Sequence, residues 1–178
     1  MNNSENASRT VFTTKLFKVK NIDIPLPDGK IKTYDLVDIQ NAITVLPMDD
    51  EGYVYLVEQY RIGAGKTLLE LPAGKIEQDE DPLEAARREL REEIGMDAAE
   101  IKSLGNFYMS PGYANEYMYC FLATGLYPAP LAPDADEFIN VKKVHLTQVI
   151  ELVNNGKLAD SKTLAVLMLA QTHIHKTA

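Results

Sequence analysis

Cysteine is nearly missing from this chain. Cys120 stands alone among 178 residues, so no internal disulfide can form and a reducing compartment is expected. Its surroundings, YMYCFLA, are apolar and offer no basic neighbour to stabilise a thiolate, so it reads as a core thiol and not as a nucleophile. Long hydrophobic runs are also absent. No stretch approaches the roughly eighteen apolar residues of a membrane span, which argues against a membrane protein. The opening MNNSENASRT lacks the basic start and apolar middle of a secretory signal, reads as a loose tail, and leaves a cytoplasmic location as the expectation. Positive charge is in deficit, with 18 Lys and Arg against 26 Asp and Glu and a formal net charge of -8. Such a balance disfavours broad binding to nucleic acid, and an anionic substrate would need a local positive device such as bound metal or a few arginines. The three histidines, His145, His173 and His175, form no zinc-type set with the lone thiol and read as structural or solvated.

What is present fits one globular domain: 46% hydrophobic and 25% charged residues, enough to bury a core without disulfide or metal staples. Alternation from Leu16 to Asp38, broken by Pro27, Asp28 and Gly29, predicts an amino-terminal hairpin. Asn41 to Pro47 and Tyr53 to Gln59 read as an antiparallel strand pair around the MDDEG turn. A helix then opens with Asp81 as cap, Pro82 in its first turn and Glu84 completing a capping box, and stops at Gly95. Strands are expected over Ile101 to Tyr108 and Glu116 to Thr124, on either side of SPGYAN, and over Phe138 to Leu146. Pro128, Pro130 and Pro133 mark an acid-rich irregular loop between the last two. Two helices close the chain, about Thr147 to Asn155, ended by Gly156, and Ser161 to Ile174, opened by Asp160. The order predicts a mixed sheet between helices, an α/β (α+β) arrangement.

The chemistry concentrates on the central helix. Helical spacing sets Glu89, Glu92 and Glu93 on one side, beside an apolar stripe of Leu83, Ala86, Leu90 and Ile94. Like charges within one turn repel. Either solvent and the arginines Arg87, Arg88 and Arg91 offset the repulsion, giving an ordinary salt-bridged surface helix, or a cation does. An oxygen-only ligand set suits a hard ion, Mg2+ or Mn2+, which can bridge phosphate oxygens.

The span from Gly74 to Met96 resembles the box of the Nudix hydrolases, G-x5-E-x7-R-E-U-x-E-E-x-G-U with U aliphatic. Gly74, Glu80, Arg88, Glu89, Glu92, Glu93 and Gly95 match every fixed position. Leu90 and Met96 fill the aliphatic places, Met96 being unbranched. Further likeness to the ADP-ribose pyrophosphatase branch lies in VEQYR, LLELPAGK, SPGYANE and GKLADSKTLAVLMLA, so it spans about Leu16 to Leu169.

The resemblance implies a Nudix-type α/β/α sandwich over residues 41–178, preceded by a tail and antiparallel β element over residues 1–40. It implies Glu89 and Glu93 as main metal ligands, with Glu92 assisting and the Ala73 carbonyl a further ligand. A Glu80–Arg88 ion pair, with Gly74 and Gly95, would support the site. Arg61 would contact the diphosphate. Glu70, Ser110, Gly112 and Glu116 would line the substrate site, and Glu137 would position or deprotonate the attacking water, with Asp134 and Asp136 as rivals. The implied reaction is attack of water on one phosphorus of a diphosphate, two or three Mg2+ ions stabilising the charge, so that ADP-ribose gives AMP and ribose 5-phosphate. Adenine would stack on an aromatic residue, for which Phe17, Tyr34 and Tyr60 are unranked candidates. A homodimer exchanging its amino-terminal strands is implied as well. The same box serves hydrolases of nucleoside diphosphate sugars, FAD or NADH, and of oxidised nucleoside triphosphates. A module that binds ADP-ribose without cutting it is the alternative outside enzymes, against which the full carboxylate set counts.

Overall fold

Turn chemistry builds the first sheet. In a computed structural model of the chain, residues 7–132 and 138–174 are described. They fall into two compact units: the described part of Met1–Asn41 with Phe107–Tyr117, and Ala42–Asn106 with Met118–Ala178.

In the first unit, β2 (Phe17–Pro25) and β3 (Ile31–Ile39) pair antiparallel from Pro25↔Ile31 to Phe17↔Ile39. The connecting turn closes through Leu26 N–H to Lys30 O and Gly29 N–H to Leu26 O, with Gly29 at φ 81°. That left-handed conformation favours glycine. A third strand, β1 (Ser8–Thr13), pairs antiparallel with β2. The last part of the expected loose tail is therefore strand. All six residues of β1 are exposed, so backbone hydrogen bonds to β2 order it without burial, helped by the β-branched Thr10, Val11 and Thr13. The segment from Phe107 to Tyr117 is tied to β3, because Val37 N–H donates to Tyr113 O at 2.7 Å and Asn115 N–H to Val37 O at 3.2 Å. The Asn115 side chain completes the tie, accepting from Ile39 N–H at 2.9 Å and donating to Asp38 at 2.7 Å.

In the second unit, β4 (Ala42–Pro47) is buried at every residue. It pairs antiparallel with β7 (Ala73–Lys75) and parallel with β9 (Tyr117–Pro128), beside which lies β8 (Met96–Tyr108), giving the order β7-β4-β9-β8. The neighbouring β5 (Tyr53–Arg61) lies instead between β10 (Asn140–His145) and β6 (Lys66–Glu70), antiparallel to both. The expected β4–β5 pair is thus reduced to a single bridge, Met48↔Val54. A strand apolar on both faces, as β4 is, belongs at the centre of a sheet, where partners distant in sequence outcompete its neighbour across a turn.

Among the described residues three helices complete the unit: α1 (Pro82–Glu93), α2 (Leu146–Asn154) and α3 (Ser161–Ile174). Ile43 and Val45 of β4 cluster with Ala86 and Leu90 of α1, with Ile94 just after it and with Phe121 of β9. Strand alternation sends the equally buried Thr44 and Leu46 to the other face, and α3 also packs on β4. The mixed sheet thus carries helices on both faces. His145, expected within a strand, is its last residue and caps α2, its ring accepting from Thr147 N–H at 3.4 Å while meeting Tyr53 edge-on. No helix among the described residues is long and apolar enough to cross a membrane.

Candidate functional site

Helix α1 is cut to length by its caps. Asp81 is extended (φ -73°, ψ 137°) and accepts from Leu83 N–H at 2.8 Å, Pro82 occupies the first turn where its missing donor costs nothing, and Glu84 faces the positive end of the helix dipole. At the other end Ile94 caps the helix and Gly95 turns away at φ 71°. With Ala86 and Leu90 fully buried, the carboxylates follow on the adjacent face. Glu89 and Glu93, one turn apart, are only 7% and 6% exposed.

Arg88 organises that face. Its guanidinium grips Glu80 with both prongs, at 2.8 and 3.0 Å, and donates to the Lys75 carbonyl at 2.9 Å. Its remaining nitrogen bridges Glu89 at 2.7 Å and Glu92 at 3.0 Å. The loop before α1 is thereby locked to the helix. The hydrogen bond from Arg88 holds the Glu80 carboxyl below its ordinary pKa against the opposing effect of burial, while Glu80 first, then Glu89 and Glu92, hold the Arg88 cation well above its own. Glu93 accepts from the Ala73 amide of β7 at 3.1 Å. Gly74, the next residue, approaches so closely that a Cβ there would overlap the Glu89 carboxylate.

The sequence set Glu89, Glu92 and Glu93 on one side of the helix as the ligand group of a cation. Among the described residues, no three such side chains are drawn together closely enough to hold a metal ion as they stand. Glu89 and Glu92 meet on Arg88, and Glu93 lies on the Ala73 amide, because like charges so close need donors between them. The residues nonetheless fit a hard cation. The donors are all carboxylate oxygen, two are nearly enclosed, and Gly74 leaves room for the Glu89 head where any side chain would fill it.

A second charged group lies where β6 ends. Arg61, at the end of β5, donates to both oxygens of Glu70 at 2.7 and 3.0 Å. The Glu70 side chain is fully enclosed while 39% of the Arg61 side chain is exposed. Glu70 is therefore out of a ligand's reach, and Arg61 is the member of the pair with exposed side-chain surface. Burial pulls the Arg61 pKa down, but the hydrogen bond and charge of Glu70, then the charges of Glu93 and Asp160, outweigh it and hold it raised. Lys162 of α3 also bonds Glu70 and, at 3.0 Å, Asp160. Reasoning from sequence did not single out Lys162. The available signal was its place just after the cap Asp160, in a segment already read as a helix start.

Ser110, Gly112 and Glu116 lie in the first unit, in the loop tied to β3. Ser110 O accepts from Tyr113 and Ala114 N–H, at 3.1 and 2.9 Å, and Glu116 O accepts from Met109 N–H. A Cβ added at Gly112 would meet nothing, so packing does not demand glycine there. Tyr34 in β3 and Tyr60 in β5 are 41% and 63% exposed, and Phe17 in β2 is half-buried. Glu137, with its rivals Asp134 and Asp136, lies outside the described residues. Cys120 is fully buried and its thiol is pushed up to about 12 by burial, which removes it from nucleophilic chemistry.

A family profile described as the NUDIX domain matches residues 38–167. The chain is 35% identical over 167 residues to the ADP-ribose pyrophosphatase of Bacillus subtilis (strain 168), covering 93% of this chain and 90% of that protein. It is 32% identical over 163 residues to the methanol dehydrogenase activator of Bacillus methanolicus, covering 90% and 88%. Among solved structures, one described as an ADP compounds hydrolase superposes with a TM-score of 0.85 at 25% identity, over 97% of this chain and 94% of that one.

Proposed function

The chain belongs to the Nudix family and is a hydrolase of pyrophosphate bonds in nucleoside diphosphate compounds, and on that premise we propose that its substrate is ADP-ribose, cut to AMP and ribose 5-phosphate with Mg2+ as the metal. The observation that carries this reading is the enclosed carboxylate face of α1, with Gly74 packed on Glu89 and Arg88 bridging Glu89 and Glu92. Relatives of this family generally depend on divalent metal, and Mn2+ is the expected substitute.

Glu89, Glu92 and Glu93, with the Ala73 carbonyl, would hold the ion. When bound, the ion supplies positive charge against the diphosphate oxygens and lowers the pKa of water. The chain's own residues do the rest. Glu80 and Arg88 fix the loop at Lys75 to the helix, so that the carboxylates need little reorganisation when substrate arrives. Arg61, with its side chain partly exposed and its pKa raised, offers a cation to diphosphate oxygens. Glu137 accepts the proton of the attacking water, or Asp134 or Asp136 does. Ser110, Gly112 and Glu116 take part in substrate binding, and a small-molecule nucleotide is the ligand, with no nucleic acid or membrane partner.

We further propose a homodimer formed through the amino-terminal strands. Its support is the apolar surface of β1 to β3: Val11 is 52%, Phe12 60% and Ile31 71% exposed, more than a lone three-stranded sheet ordinarily shows to water.

The test is a substrate panel. Protein stripped with EDTA and then given Mg2+ is incubated with ADP-ribose, GDP-mannose, UDP-glucose, NADH, FAD and a nucleoside triphosphate, and products are separated chromatographically. AMP from ADP-ribose, released fastest and only after Mg2+ is restored, is the expected result. Faster cleavage of another compound would overturn the substrate and leave the chemistry standing.

A further inference from the structure

We propose that Lys162 is a positioning residue for the reaction: by sharing the buried Glu70 carboxylate with Arg61 and pairing with Asp160, it fixes the Arg61 guanidinium and keeps the group around it from carrying the net negative charge that would repel a diphosphate. This rests on the reading of Arg61 as the diphosphate contact.

The Glu70 side chain has no exposure, so its carboxylate must be served entirely from within the protein. Arg61 alone would satisfy it geometrically, through both oxygens. Asp160 belongs to the same group, so with Arg61 as its one cation the group would carry a net negative charge and repel an anion. Lys162 adds a second cation to the same carboxylate. It comes from the first turn of α3, 92 residues away in sequence, and that turn is held rigidly beside Glu70. Leu71 N–H, adjacent to Glu70, donates to the Thr163 hydroxyl at 2.9 Å, and Asp160 accepts from Thr163 N–H at 2.9 Å and from the Thr163 hydroxyl at 2.6 Å. Lys162 is only 7% exposed. A buried ammonium in this place cannot itself reach a ligand, and the group meets water through Arg61.

Charge then decides the consequence. Arg61 and Lys162 balance Glu70 and Asp160, so the group is neutral. Removing the lysine leaves it at -1, and the unbalanced Asp160 and Glu70 both pull on Arg61. An anionic substrate loses attraction at the one exposed member. A purely structural lysine behaves differently: its replacement leaves Glu70 and Asp160 short of a partner and lowers Tm, with KM and Kd unchanged in the protein that still folds.

The experiment uses the full chain carrying Lys162→Met, Lys162→Arg, Arg61→Ala and the Lys162→Met/Arg61→Ala pair. Three readouts are taken: KM and kcat for ADP-ribose with Mg2+, calorimetric Kd for the non-hydrolysable α,β-methylene ADP-ribose, and Tm. Lys162→Met is expected to raise KM and Kd by about tenfold with a smaller change in kcat. Lys162→Arg should restore most of the loss, and in the Arg61→Ala background Lys162→Met should add less than about twofold, as coupled residues do. Lys162→Gln, which keeps a donor but not the charge, replaces Lys162→Met if the latter does not fold, with the same expectation. Unchanged KM and Kd in folded Lys162→Met, or equal losses with and without Arg61, overturn the proposal while Arg61 keeps its role. If Arg61→Ala itself leaves KM and Kd unchanged, the diphosphate reading of Arg61 falls and the proposal falls with it.

Discussion

Replacing Gly74 with alanine separates folding from function in this site. Gly74 is not in a left-handed conformation, so its backbone accepts alanine. The obstacle is the Glu89 carboxylate, whose atoms are the nearest to the new Cβ and overlap it. That carboxylate ends a flexible side chain, so it can rotate away and the fold survives. What it loses is the 2.7 Å bond from Arg88. A charge-assisted bond between partly buried groups is worth about 1.5–3 kcal/mol, and relaxation returns part of it. Gly74→Ala should therefore lower stability by only about 1–2 kcal/mol, a Tm drop of roughly 3–6 °C for a chain of this size. Activity should fall far more, on the order of a hundredfold, because a principal carboxylate is displaced by an ångström or more. The assay pairs thermal unfolding with a Mg2+ titration of AMP release from ADP-ribose, in which the variant should also need more Mg2+. Gly112→Ala, whose Cβ meets nothing, serves as the stability control. Activity and Mg2+ dependence within about twofold of wild type would refute the close approach of Gly74 to Glu89.

Further outcomes follow from the same geometry. Arg88→Met strips donors from Glu80, Glu89 and Glu92 at once and should destabilise by about 3–5 kcal/mol, as breaking a largely buried ion cluster does; urea unfolding measures it. Because Arg88 depresses the Glu80 pKa, that stabilisation is full above the unfolded carboxylate value near 4.5 and is lost as pH falls through the lower folded value. The gap between wild type and Arg88→Met, followed by urea unfolding from pH 7 down to 3, should narrow only at the acid end, and a gap independent of pH would contradict the assignment. Asp81→Ala removes the α1 cap and should cost about 1 kcal/mol, read from chemical denaturation at unchanged m-value. Cys120, with its thiol near 12 and no exposure, should react with a disulfide reagent at pH 8 only as fast as the protein opens; rapid labelling of native protein would show that the β9 core is not closed.

Features that depend on neighbours in sequence were legible in advance. The cap at Asp81, the stop at Gly95, the hairpin at Gly29 and the whole carboxylate helix follow from local spacing, which one strand of text displays. The strand partners of β4 and β5 were not legible, because pairing is decided by which distant strands share a buried face. The VLPMDDEGYV segment reads as an ordinary hairpin unless β9 is known to lie alongside β4. The residues at the start of β1 were hidden differently. Polar and exposed throughout, they are ordered by backbone hydrogen bonds that leave no hydrophobic pattern. Within the site, Arg88 and Glu80 carry a fixed spacing and could be paired on paper. Lys162 could not, since its partner lies 92 residues away and a lysine near a helix start most often faces water. Glu70 shows the complementary difficulty: as one more acid among 26, nothing in its neighbours announces a fully buried carboxylate.

If the α1 carboxylates support hydrolysis of a diphosphate bond, Glu93→Gln must abolish turnover. The substitution keeps the size and the acceptor for Ala73 N–H while removing the charge. Wild type and variant are assayed with ADP-ribose and Mg2+ for AMP and ribose 5-phosphate, alongside calorimetric binding of α,β-methylene ADP-ribose. Equimolar products from the wild type, with turnover lost in a variant that still folds, is the result expected. A wild-type protein that binds the analogue yet releases no product from any nucleoside diphosphate compound, or a Glu93→Gln variant that turns over normally, would contradict it.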